Sequence, residues 1–116
     1  EIAQCLVGSE MCIRDSYQTV VNRRDNPKEG SYTCYLLDKG IDKILKKVGE
    51  ECSETIIAAK NGDNSETVYE IADLIYHLTV MMVQQNISLE DVLAELDKRS
   101  EKTGNLKKFH TVDKNS

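Results

Sequence analysis

The stretch IDKILKKVGEECSETIIAAKNG, Ile41 to Gly62, decides the fold. Set on a helix at about 100° per residue, Ile41, Ile44, Leu45, Val48, Cys52, Thr55, Ile56 and Ala59 fall on one stripe. Gly62 ends that helix, because a glycine after the last periodic residue supplies a left-handed cap. Beside the stripe, Lys43, Lys47, Glu51, Glu54 and Ala58 share a flank. Glu51 and Glu54, three residues apart, can therefore address one point in space. Glu50 is turned about a quarter of the way round from Glu51 and reads, with Lys46 four residues before it, as a surface ion pair. Gly49 costs about 1 kcal/mol relative to Ala inside a helix, so it asks for a reason such as close approach of another helix.

Downstream, Asp63 or Asn64 caps a second long helix, with Glu66 placed to complete a capping box. It runs from about Ser65 to Gln85. Val68, Ile71, Ala72, Leu74, Ile75, Leu78, Met81, Met82 and Val83 cover most of its circumference, with Tyr69, Tyr76 and Val80 in much of the remainder. A helix apolar almost all round is a buried one. Glu70, Asp73 and His77 form a narrow polar strip on it. Desolvating an isolated carboxylate is costly, so acids on such a helix need partners. Two acidic pairs on adjacent antiparallel helices can share divalent cations, and Mg²⁺ suits oxygen ligands while leaving positions for water and phosphate. Plainer readings stand beside this one. E-x-x-E on a charged helix also describes a solvated face, and Lys or Tyr could satisfy E-x-x-D. His77 fits a hydrogen-bonded interior histidine, and Lys43, Lys46 and Lys47 fit a solvated face.

Further out, Ser88 opens SLEDVLAELDKR, with Leu89, Val92, Leu93 and Leu96 facing inward, and Thr103-Gly104 closes it. On the other side, Ser31 or Thr33 caps a short helical piece, CYLLDK, which Gly40 stops or kinks. DNPKEGS breaks the chain before it, and Tyr17 to Arg24 reads as the remnant of a helix. Residues 1–16, EIAQCLVGSEMCIRDS, show neither a helical nor a strand period, and Leu6 to Ser16 resembles translated sequencing-adapter DNA. The expected organisation is a non-native, unstructured leader at 1–16, a domain at 17–102 and a frayed tail at 103–116. The fold class is all-α, an antiparallel bundle of four to five helices.

At 116 residues the chain holds one small domain, and its thin core favours pairing with a second copy as a homodimer. A net charge of -5 argues against a nucleic-acid backbone binder, which normally shows a basic face. Cys34 and Cys52 have no C-x-x-C or His-rich company, which points to reduced thiols in the cytoplasm and not to zinc. LIYHLTVMMV is too short for a membrane span, and no basic-then-apolar secretory signal is present.

Two long segments, NPKEGSYTCYLLDKGIDKILKKVGEECSETIIAAKNGD and VYEIADLIYHL, closely resemble the phosphoribosyl-ATP pyrophosphohydrolase family of histidine biosynthesis. The likeness covers Tyr17 to about Arg99. That family is part of the all-α, MazG-like nucleoside-triphosphate pyrophosphohydrolases, whose E-E-x-x-E and E-x-x-D signature reads here as Glu50-Glu51-x-x-Glu54 and Glu70-x-x-Asp73. The resemblance implies hydrolysis of 1-(5-phospho-β-D-ribosyl)-ATP to phosphoribosyl-AMP and pyrophosphate. It implies Mg²⁺ on Glu51, Glu54, Glu70 and Asp73, catalytic roles for Glu50 and Glu51, and Glu50 as a water-orienting base or outer partner. Lys39, Lys43, Lys46, Lys47 and Lys60 are the candidate phosphate-binding lysines. It also implies fusion, in many organisms, to a phosphoribosyl-AMP cyclohydrolase domain upstream. The rival readings are the same chemistry on another nucleoside triphosphate and a non-catalytic helical dimerisation module. Cys52 and Ser53 stand where the family favours small apolar residues, without changing the ligand spacing.

Overall fold

The structure, a computed structural model, describes residues 9–101. In these lie five helices: α1 (Ser9–Asp25), α2 (Tyr32–Lys39), α3 (Ile41–Lys60), α4 (Asn64–Gln84) and α5 (Leu89–Ser100). No strand occurs among the described residues, and the all-α expectation holds. Thr103-Gly104 and the tail lie outside them.

Local chemistry sets the boundaries. Ser31 caps α2 by accepting the Cys34 N–H at 3.2 Å, whereas Thr33 is buried and bonded to the Tyr76 hydroxyl at 2.6 Å. Asp63 caps α4 by accepting the Glu66 N–H at 3.0 Å, and Ser88 caps α5 through the Asp91 N–H at 3.1 Å. The Asp63 N–H itself donates to the Ala58 carbonyl at 3.2 Å, so it closes the end of α3 and is not taken by the Glu66 side chain. Gly40 and Gly62 have φ of 94° and 72°, a region that side-chain-bearing residues rarely enter.

The helix called a remnant is longer than expected. α1 begins at Ser9, which corrects the expectation of an unstructured leader for residues 9–16. Extending an existing helix fixes one residue per new hydrogen bond, far cheaper than nucleating one. Arg14 also pairs with Glu90 at the start of α5. Tyr17 donates its hydroxyl to the Ile87 carbonyl at 2.8 Å, tying α1 to the turn before α5.

Val20, Leu36, Ile44, Tyr76, Val80 and Val83 form the buried core, with Tyr17, Val21, Leu37 and Met81 packed against it. It lies where α1, α2 and the beginning of α3 meet the second half of α4. α3 and α4 form the most extensive helix pair, an antiparallel hairpin about the Asn61–Asp63 turn.

Three expectations about faces are corrected. α4 buries its polar strip, with Glu70 and His77 5% and 3% exposed, while Val68, Tyr69, Ile71 and Ile75 lie open. On α3, Ile44 is buried but Leu45, Ile56 and Cys52 of the same stripe are exposed. On α5 Leu89 is buried, Leu93 is half-buried, and Val92 and Leu96 are exposed. The physical reason is common to all three. Periodicity marks which residues gain from leaving water, but one chain of this size has too few helices to cover every apolar face. Gly49 has no close helix neighbour either, since a Cβ built there meets nothing within 4 Å.

Candidate active site

The hairpin decides where the carboxylates go. Folding α3 back on α4 about the Asn61–Asp63 turn sets Glu51 level with Asp73 and Glu54 level with Glu70. Glu51, Glu70 and Asp73 each offer a carboxylate oxygen within 4.8 Å of the other two. Glu54 is exposed but hydrogen-bonds Glu70. All four predicted acids are thus brought together, three as a compact group and Glu54 at its edge.

This group is under strain of a definite kind. Glu70 is pushed from 4.5 up to about 8, first by the proton it shares with Glu54, then by burial and by Glu51. Oε2 of Glu51 and Oε2 of Glu70 are buried without a hydrogen-bond partner. Carboxylate oxygens left this way are rare, and two of them converging beside the Asp73 carboxylate make the donor set of a hard divalent cation. The residues present therefore fit such an ion. A small groove of about 250 Å³, lined in part by Glu54, Asp63, Glu66 and Glu70, gives access from solvent.

Lys47 partly balances the charge. Its ammonium lies 3.1 Å from Glu50 and 3.6 Å from Glu51. This corrects the expected Glu50–Lys46 pair. Residues three apart on a helix are as close as residues four apart, and Lys47 leans to the side where the acids collect. The hydrogen bond from Lys47 and its charge hold the Glu50 carboxyl below its ordinary range, with Lys46 and Lys43 contributing more weakly. Among the other candidate lysines, Lys39 lies over the Tyr35 ring, 5.7 Å from its centroid. Lys60 is exposed in the last turn of α3, past Glu54.

His77 is an interior, hydrogen-bonded histidine. Its Nδ1 is 2.8 Å from the Asp73 carbonyl, which can only accept, so that nitrogen carries the proton. In the neutral ring Nε2 then accepts from the Tyr32 hydroxyl at 3.2 Å. Tyr32 is the residue that helical spacing did not single out. Its ring also meets His77 edge-on at 5.9 Å, and its hydroxyl is pushed up by burial, with Lys47, Glu51 and Asp73 close enough to act on its charge. It lies in the G-S-Y-T run, Gly30 to Thr33, of the first segment that resembles the family, and nothing in its spacing marked it.

The chain is similar to known proteins over most of its length. The family model described as phosphoribosyl-ATP pyrophosphohydrolase matches residues 13–100. The phosphoribosyl-ATP pyrophosphatase of Clostridium novyi is 52% identical over 95 residues, covering 82% of this chain and 86% of that protein. That of Listeria welshimeri is 50% identical over 101 residues, covering 87% and 97%. The histidine biosynthesis bifunctional protein HisIE of Caldanaerobacter subterraneus is 57% identical over 86 residues, covering 74% of this chain but 42% of the longer protein.

Proposed function

The chain belongs to the phosphoribosyl-ATP pyrophosphohydrolase family, and on that premise we propose that Glu51, Glu54, Glu70 and Asp73 are its Mg²⁺ ligands. The reaction is hydrolysis of phosphoribosyl-ATP to phosphoribosyl-AMP and pyrophosphate, a step of histidine biosynthesis. The observation that carries the metal reading is the pair of buried, partnerless oxygens on Glu51 and Glu70. When bound, the ion neutralises charge on the attacked and leaving phosphate oxygens.

The chain's own groups supply the rest. Glu50 is ionised and oriented by Lys47, so it is placed to accept a hydrogen bond from the attacking water and hold it in line. Its lowered carboxyl makes it a better orienter than proton acceptor. Lys47 faces the acids on the same side and binds phosphate as a point charge, with Lys43 and Lys46 nearby. Lys39 and Lys60 complete the candidate lysine set at its periphery. His77 and Tyr32 fix the backbone at Asp73 through their chain of hydrogen bonds. The experiment is pyrophosphate release from phosphoribosyl-ATP, with ATP as the competing substrate, over a Mg²⁺ titration. Release that does not depend on the ion would remove the ligand assignment.

The same proposal includes a homodimer in the cytoplasm. Ile56, Ile57, Val68 and Tyr69 are 68%, 59%, 67% and 62% exposed, beside Ile71 and Ile75, on the two helices that carry the acids. Exposed apolar faces of this kind mark interfaces, and an isologous pairing covers both copies at once. Light scattering at micromolar concentration should give twice 13.1 kDa. Ile75→Asp should shift the mass toward the monomer, and a monomeric wild type would refute the pairing. No helix among the described residues is long and apolar enough to cross a membrane. Native fusion to a cyclohydrolase domain, suggested by the bifunctional relatives, stands as part of this proposal.

A further inference from the structure

A second cleft, larger than the groove beside the acids, lies elsewhere in the fold. It has a volume of about 830 Å³ and lies between the end of α1, the connection to α2, and α2 itself. Arg23, Arg24 and Lys28 line it together with Glu29 and Asp38, and Arg24 is paired with Asp25 at 3.0 Å. Tyr32 and Tyr35 also line it, their rings stacked at 6.1 Å and 22°, and both are about 40% exposed (40% and 44%). Cations beside stacked, accessible aromatic rings are the elements that recognise a phosphate joined to a sugar or base.

Tyr32 connects this cleft to the acids. One part of its surface lines the cleft, while its hydroxyl bonds His77, which in turn bonds the Asp73 carbonyl. The cleft and the carboxylate group are therefore neighbours that share a wall. A substrate made of a nucleoside triphosphate with a phosphoribosyl group on its base has two anionic ends. The triphosphate belongs with the acids and their cation. ATP lacks the second end, so a site that tells the two apart must recognise a phosphomonoester. The G-S-Y-T segment contributes Gly30, Ser31 and Tyr32 to this cleft.

We propose that the cleft binds the 5-phosphoribosyl end of the substrate, with Arg23 and Lys28 at the phosphate and Tyr35 against the sugar and base. This rests on the hydrolytic reading for the substrate's identity, but the binding of a sugar phosphate can be measured without it. Ribose 5-phosphate is the probe, titrated calorimetrically into the full chain, with ribose as the control lacking phosphate. Wild type should bind ribose 5-phosphate and not ribose, and Arg23→Gln or Lys28→Gln should each weaken it by about tenfold or more, as loss of a charge-assisted hydrogen bond does. In steady-state assays KM for phosphoribosyl-ATP should rise by about the same factor, with kcat within about twofold, because the contact is made equally in ground and transition states. Thermal melts report whether each variant folds, and Lys28, being exposed, keeps the test open if Arg23→Gln does not. An affinity for ribose 5-phosphate that is absent in wild type, or unchanged in the variants, overturns the assignment. A wild type that binds ribose 5-phosphate through Arg23 and Lys28 but releases no pyrophosphate would leave the cleft standing and refute the hydrolytic reading instead.

Discussion

Glu70→Gln and Asp73→Asn are each expected to lower pyrophosphate release from phosphoribosyl-ATP by about a hundred- to a thousandfold, the scale of losing one preorganised electrostatic contact in a closed site. Both positions sit on α4 with their carboxylates against Glu51, so either amide takes from the compact group of three a carboxylate that a cation would need. The backbone has no reason to move. Gln and Asn match the acids in shape, and the core residues Ile44, Tyr76, Val80 and Val83 lie further from the hairpin turn than the acids do. Glu50→Gln should be milder, about tenfold, because Glu50 stands outside that group and is held by Lys47. The measurement is initial rate against Mg²⁺ concentration for each variant. Near wild-type rates in both Glu70→Gln and Asp73→Asn would refute the ligand assignment.

The second large effect is on the metal-free protein and follows from the proton on Glu70. Its carboxyl is raised from 4.5 to about 8 in the folded chain, chiefly by the bond with Glu54 and then by burial. Between those two values the folded state keeps a proton that the unfolded state has released. The stabilisation this gives is complete below about pH 4.5, declines as pH rises, and is gone above about 8. With a chelator present, the melting temperature of wild type should therefore fall between pH 6 and 9 relative to Glu70→Gln, which has no such proton to lose. A cation and a proton compete for the same oxygens, so Mg²⁺ should raise the melting temperature more at pH 8.5 than at pH 6. Thermal melts with and without chelator across this range check both statements. Parallel pH profiles for wild type and Glu70→Gln would show that Glu70 does not hold the proton.

These two expectations draw on different levels of information. The residue types came from the sequence: E-x-x-E and E-x-x-D at helical spacing, separated by a glycine-ended helix, specify two helices that each carry an acidic pair on one side. The caps were legible too, because Ser31, Asp63 and Ser88 act through bonds to residues only three positions away. Residues 9–16 were not legible as helix. Their helicity continues from α1 and is anchored by Arg14 to Glu90, a contact across 76 positions that no local period encodes.

What the sequence by itself determined is therefore whatever depends on neighbours within a turn or two: an all-α chain of four to five helices, the capped starts of α2, α4 and α5, and which residue types share a side. The tertiary structure decided which of those sides are covered. Apolar period alone put α4 wholly inside, yet it is Glu70 and His77 that are buried and Ile71 and Ile75 that face out. The reason is that burial is a property of two surfaces meeting. The α3–α4 hairpin closes on its acidic side, concentrating like charges until one carboxyl holds its proton. It leaves Ile56, Val68, Ile71 and Ile75 open, and Tyr32 of a different helix stands between the acids and the cleft lined by Arg23 and Lys28.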